Sequence, residues 1–237
     1  MITMPPSSVL WRDRSHAGQA LADRLRAWRD SADALVIGLP RGGVVVAAEI
    51  ARALGLPLAS WAVRKLSHPM APELALGAIA PGNVLIWDEA MANAYDLNPS
   101  LRERIVAEQS LELERRRRLY GEPSLASLGH RPLLIVDDGV ATGLTVRAAL
   151  QSLREAMPTH LVLAVPVIDR TVAARLRHDL DQLIALAEVD DLQAVGAWYQ
   201  HFEPVDDAEV LALLSAGSEG PANSEAGAHP KRRADWF

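Results

Sequence analysis

Two adjacent acids, Asp137 and Asp138, stand at the end of an apolar run in the string LLIVDDGVATGLT, residues 133–145. Behind them come Gly139, Val140, Ala141, Thr142, Gly143 and, two positions on, Thr145. Glycines let backbone N–H groups approach an anion, and a helix that starts there adds the positive end of its dipole. The threonine hydroxyls supply further donors. Phosphate suits that cradle, yet it would repel both carboxylates unless they hold something else. A vicinal diol offers two donors to groups that only accept. Phosphate and diol together describe a ribose 5-phosphate. For the acid pair alone, a strand-to-helix turn with solvated carboxylates is the other reading.

Three further groups of residues could join such a site. In LVIGLPRGG, residues 35–43, a strand and a tight turn precede a helix. There the bare backbone of Gly42 and Gly43, with Arg41 beside it, suits an anion. The string meets neither the dinucleotide fingerprint nor a Walker A loop. Arg64-Lys65 is a basic pair that fits either an anion or solvent. Trp198, Tyr199 and Phe202 cluster in a chain with 5% aromatic residues. A flat base could stack on Trp198, or the ring could cover the sheet edge. Arg115–Arg118 reads as an RNA- or phosphate-binding patch or, with Glu112/Arg116 and Glu114/Arg118 at i,i+4, as a solvated helix face, the reading expected here.

The elements that must position these residues alternate between strand-length apolar runs and helix-period segments, the pattern of an α/β fold with a central, mostly parallel sheet. Predicted strands cover 34–39, 58–63, 133–136, 161–167 and 183–188, and a short hairpin covers 78–87. Predicted helices cover 16–30, 44–54 (closed by Gly55), 98–120, 144–156, 171–180 and 208–214, the last behind an Asp206/Glu209 capping box. Residues 64–76, with Pro69 and Pro72, read as a loop. From Ser215 the composition turns to Ser, Gly, Pro, Glu and Ala, which predicts a unit over 1–215 and a tail without fixed structure over 216–237.

Composition narrows the classes. The chain has 237 residues, 49% hydrophobic and 23% charged, as in an ordinary globular protein. Without cysteine there is no disulfide framework, thiol nucleophile, zinc ribbon or iron–sulfur cluster. A net charge of −6 argues against a nucleic-acid partner. No run approaches the roughly 18–20 apolar residues of a membrane span, and Met1–Trp11 lacks the pattern of a secretory signal. The expectation is a cytoplasmic protein with no membrane partner.

The 133–145 string resembles the PRPP-binding motif of type I phosphoribosyltransferases. LVIGLPRGG is similar to that family's pyrophosphate loop. The longer strings RKLSHPMAPELALGAIA and AVGAWYQHF resemble a stand-alone bacterial phosphoribosyltransferase-domain group. The likeness covers about residues 10–212. It implies the family's sheet, flanked by helices, with a small hood or mobile flap. By position it implies that Asp137 and Asp138 hold the ribose hydroxyls, and that Gly139 to Thr145 hold the 5-phosphate. Arg41, Gly42 and Gly43 would take the pyrophosphate, and Arg64 and Lys65 would cover it. The implied reaction is attack of a nitrogenous base on C1 of PRPP with loss of pyrophosphate. Mg²⁺ would be held mainly by substrate oxygens and water, with no ligand assigned on the protein. Where 6-oxopurine enzymes carry an acceptor base before Thr-Gly, this chain has Ala141, and Glu73 is a weak substitute. The acceptor is therefore unknown, and a homo-oligomer is left open. A PRPP- or nucleotide-binding regulator without turnover, and a hydrolase or lyase of a phosphorylated sugar, are the competing functions.

Overall fold

The computed structural model describes residues 9–29, 31 and 33–218. In chain order the elements are α1 (Arg14–Arg24), β1 (Leu35–Gly38), α2 (Gly42–Leu54), β2 (Leu58–Ser60), β3 (Arg64–His68), β4 (Ala71–Ala80) and β5 (Val84–Trp87). Three helices follow, α3 (Glu89–Ala94), α4 (Pro99–Leu119) and α5 (Leu125–Leu128). Then come β6 (Pro132–Val136), α6 (Leu144–Arg154), β7 (His160–Asp169), α7 (Arg170–Leu176), β8 (Gln182–Val189) and α8 (Asp207–Ser218).

Five strands form a parallel sheet in the order β2-β1-β6-β7-β8. The α/β architecture read from the sequence is the one observed. Continuous apolar runs fit because both faces are covered. Side chains alternate, so Leu35, Ile37, Leu133, Ile135, Leu161 and Leu163 meet α6 in one core. Val36, Leu134, Val136, Val162 and Ala164 meet α1 and α2 in another. Gly55, at φ 68, ends α2. Asn98 caps α4 through Leu101 N–H at 2.9 Å, and Asp206 caps α8 through Glu209 N–H at 2.8 Å.

The stretch read as a loop over 64–76 is instead strand. β3 and β4 pair antiparallel with β5 in a second sheet, joined by a turn at Pro69-Met70. Both prolines sit where they cost the ladder little: Pro69 in the turn, Pro72 beside the register shifts between Leu66 and His68. One face of this sheet packs Leu66, Leu76 and Ile79 against Ile105 and Leu113 of α4. Its other face gives Ala78 and Ala80 to the α6 core. The hood is thus sandwiched between two helices. Trp61 fastens it further: its indole N–H donates to Ser152 Oγ at 3.1 Å, and that hydroxyl donates to Pro81 O at 2.6 Å. Smaller differences lie at element ends. β2 stops at Ser60, α7 at Leu176 with a 3-10 turn over Arg177–Asp179, and α8 runs on to Ser218. Residues 219–237, where most of the predicted tail falls, lie outside the described residues, as does the Glu73 side chain.

Candidate active site

β1 and β6 are neighbours, with Gly38 opposite Val136, so the loops that leave their carboxyl ends lie side by side. That is the crevice where α/β sheets bind ligands. Leu39 N–H donates to Val136 O at 2.9 Å and starts the first loop, which carries a cis Pro40–Arg41 peptide. Gly42 and Gly43 then press directly on the acid pair. A Cβ at Gly43 would stand 2.8 Å from Val136 O and 2.9 Å from Asp137 Cα, and one at Gly42 would collide with Asp138 Oδ2. Only bare backbone fits between the two loops.

The second loop is fixed at its middle. Val140 N–H donates to Val167 O at 2.9 Å, and Val140 O accepts from Asp169 N–H at 3.0 Å. The Asp169 carboxylate in turn accepts from Thr171, Val172 and Leu192 N–H groups. Gly143, at φ 76, makes the left-handed turn into α6, a conformation that disfavours other residues. No side chain caps that helix, which leaves its first N–H groups for a ligand. Thr142 is exposed there and Thr145 half-buried.

The two acids differ in their surroundings. Asp137 Oδ1 accepts the N–H of Asp138 at 2.9 Å. Burial, together with the neighbouring Asp138 charge, pushes its ionisation well above the usual carboxylate range. Burial also raises Asp138, but Arg14 opposes the rise. The Arg14 Nε donates to Asp138 Oδ2 at 2.7 Å, with side chains 12% and 17% exposed. Arg14 is itself held. Its Nη1 donates to Glu203 O at 2.9 Å, and its guanidinium lies 3.7 Å from the centre of the Phe202 ring. Tyr199 completes the frame by donating its hydroxyl to Asp138 O at 2.6 Å.

The family model for the phosphoribosyl transferase domain matches residues 14–189, from the arginine on Asp138 to the end of β8. The chain belongs to that family. It is 39% identical over 207 residues to two curated relatives, each named "Putative phosphoribosyl transferase", from Mycobacterium tuberculosis strains CDC 1551 / Oshkosh and ATCC 25618 / H37Rv. The match takes in 86% of this chain but 46% of either relative, so the chain spans about half their length. A crystal structure of a protein from Thermus thermophilus is 39% identical, with a TM-score of 0.64, over 86% of this chain and 97% of that one.

Within this phosphoribosyl transferase fold the basic residues divide. Arg64 and Lys65 are consecutive on β3 and so face opposite ways. Arg64 turns to α4, where its Nε and Nη2 reach Gln109 Oε1 at 3.0 and 2.6 Å. Lys65 is paired with Ala78, whose side chain belongs to the α6 core. Arg41 lies 3.6 Å from Asp207, at the start of α8. Trp198 is part of the packing around Trp11, Val167 and Leu192, and its carbonyl accepts from Leu10 and Trp11. Its neighbour Tyr199 touches the acid loop through its phenol oxygen.

Arg115–Arg118 is not one solvated face, which corrects the expectation from the sequence. Arg116 is 8% exposed and pairs with Glu112 at 2.8 Å. Arg115 bridges Glu112 and Asp207 at 2.6 and 2.8 Å. Glu114 pairs with Arg117 rather than Arg118, and Arg117 also meets the buried Glu122 at 2.8 Å. Only Arg118 keeps to the solvent side without an ion pair among the described residues. Arg14 and Asp207 had no local sign in the sequence, since their partners lie far along the chain.

Proposed function

We propose that this chain transfers the 5-phosphoribosyl group of PRPP to a nitrogenous base or similar acceptor and releases pyrophosphate. The observation that carries this proposal is the close seating of the Asp137-Asp138 loop against the Arg41-Gly42-Gly43 turn. An acceptor of diol hydroxyls, a helix N-terminus for a 5-phosphate and a basic glycine turn for a diphosphate then line one crevice. The nitrogen attacks C1 of the ribose, the C1–oxygen bond to pyrophosphate breaks, and its electron pair leaves with the pyrophosphate. Positive character develops on the ring, as in glycoside hydrolysis. The protein positions the reactants and steadies the leaving charge, with no covalent intermediate.

Among the described residues no three side chains of metal-binding type converge. Asp138 Oδ2 is occupied by Arg14 and Asp137 Oδ1 by a backbone N–H. The other two carboxylate oxygens are hard donors, so the pair fits Mg²⁺ only with substrate oxygens and water as its remaining ligands. Bound there, Mg²⁺ supplies charge neutralisation for the phosphates. The 1–215 stretch is the working unit in this proposal, and the cytoplasm its compartment. No helix among the described residues is long and apolar enough to cross a membrane.

The test is pyrophosphate release from PRPP and Mg²⁺ against a panel of bases, beside PRPP binding. Asp137→Asn with Asp138→Asn should abolish both, and unchanged PRPP affinity in that double variant would refute the site. A second function, PRPP binding without turnover, is favoured by two features: Arg14, stacked on Phe202, pairs with Asp138, and Ala141 offers no acceptor base. Tight PRPP binding with no release for any base would decide for it.

A further inference from the structure

Four guanidinium groups gather beside the Arg41 turn. Gln109, Glu112 and Arg116 fall at i, i+3 and i+7, one stripe of α4 facing β3. Gln109 receives Arg64, and Glu112 receives both Arg115 and Arg116. Arg115 continues to Asp207, where Arg41 and the Tyr120 hydroxyl (2.5 Å) also end. Arg41, Arg64, Arg115 and Arg116 thus face two carboxylates, Glu112 and Asp207, which leaves two positive charges in excess. Arg116 is buried and Arg64 half-buried, so water neutralises little of the charge on these two, while Arg41 and Arg115 are part-exposed. Arg64 is the least matched of the four. Among the described residues its hydrogen-bond partner is a neutral amide, and it makes no ion pair. Arginine cannot shed its proton to relieve this, so the cluster calls for an anion.

Taking the crevice as the PRPP site, as proposed above, we infer that Arg64, Arg115 and Arg116 extend the Arg41-Gly42-Gly43 turn into a wall for the diphosphate group, with Asp207 as the internal anion that the diphosphate displaces. Guanidinium forks match phosphate oxygens in pairs. The α4 helix, which lies between the hood and the β6 strand in sequence, supplies two of them. Asp207 is suited to yield: it is part-exposed, at the first turn of α8, and its contacts with Arg41 and Arg115 are ion pairs that a stronger anion can replace. Substrate binding therefore loosens the hold of α8 on the site, and the carboxylate sets how tightly pyrophosphate stays.

The experiment is calorimetric titration of the full chain with inorganic pyrophosphate in Mg²⁺ and, separately, with ribose 5-phosphate. Asp207→Asn keeps an acceptor for Tyr120 but removes the competing charge, and should tighten pyrophosphate about tenfold. Arg116→Gln and Arg64→Gln should each weaken it about tenfold or more. Arg118→Gln should leave it unchanged. Ribose 5-phosphate affinity should be the same in all. Arg116 is buried, so melting curves accompany it, and Arg64→Gln and Asp207→Asn carry the test if it fails to fold. Pyrophosphate affinity that is flat across these variants, with ribose 5-phosphate bound, overturns the arginine wall and leaves the PRPP proposal standing. Arginine-dependent pyrophosphate binding without ribose 5-phosphate binding supports the wall and sinks the PRPP proposal. Wild-type protein that binds neither overturns both.

Discussion

Asp137→Asn should stabilise the fold more than Asp138→Asn although the residues are adjacent. Asp137 is half-buried, makes no ion pair among the described residues and faces the Asp138 charge; desolvation and that charge raise its ionisation well above 3.8. Between 3.8 and the raised value the folded protein holds a proton that the unfolded chain has released. Stability of the wild type therefore falls as pH rises through that window. Asparagine keeps Oδ1 for the Asp138 N–H and abolishes the penalty. The gain belongs to the class of relieved active-site strain, about 1–2 kcal/mol, which for a chain of this size is a melting shift of about 2–8 °C. Asp138→Asn instead reduces a charge-assisted bond at 2.7 Å to a neutral one and leaves Arg14 without its counter-ion. That loss of about 1 kcal/mol offsets the relief that removing the raised Asp138 carboxyl brings.

Thermal melts of both single variants from acid to neutral pH are the assay. The Asp137→Asn advantage should vanish below pH 3.8, where the Asp137 carboxyl is protonated in folded and unfolded chain alike, and grow to a plateau above the raised ionisation. A variant less stable than wild type at neutral pH, or an advantage that ignores pH, would refute the assignment of burial and like charge as the cause. A gain from Asp138→Asn as large as that from Asp137→Asn would refute the asymmetry that Arg14 imposes.

Two other substitutions probe the frame around the acids. Gly43→Ala forces a methyl against Val136 O and Asp137 Cα, backbone atoms that have nowhere to go. It should cost about 1–3 kcal/mol in urea unfolding and abolish PRPP binding, while a variant that binds PRPP normally would show the two loops to be separable. Tyr199→Phe retains the ring contacts with Trp11 and Phe202 but orphans Asp138 O. A loss of about 1–2 kcal/mol in the same assay is expected, and no loss would mean that the 2.6 Å bond contributes nothing net.

What the chain reveals of itself depends on how far apart the interacting residues lie. The 133–145 string is legible because a doubly buried strand, two acids and a glycine turn are all local signals. The β4–β5 end of the hood was legible too, as a hairpin over 78–87, but β3 and the start of β4 were not, because Pro69 and Pro72 broke the alternation and residues such as Ala75 and Gly77 carry little hydrophobic pattern. Its strand character comes from α4 and α6 pressing on it from either side. Arg14 lies 124 positions before Asp138, and nothing near Arg14 announces that contact. Tyr199 had one available sign. It has a hydroxyl tip, and buried phenols find hydrogen-bond partners. The Gln109, Glu112 and Arg116 spacing was likewise present, but α4 carries so few apolar residues that its inner face could not be told from its outer one.

The formal charge of −6 poses the sharpest question for a site that binds a polyanion. Were the mean charge to govern, added salt would screen a repulsion and strengthen pyrophosphate binding. Exposed charges more than about 8 Å away are already screened at physiological ionic strength, whereas Arg64 and Arg116 lie in the partly dry wall itself. The local excess should therefore win, and affinity should fall as salt rises from about 0.05 to about 0.5 M. The fall should be shallow, because burial shields these arginines from ions as it does from water. Calorimetry across that range gives the sign directly. Tighter binding at high salt would mean that the acidic surface, and not the arginine wall, sets the potential that an incoming diphosphate meets.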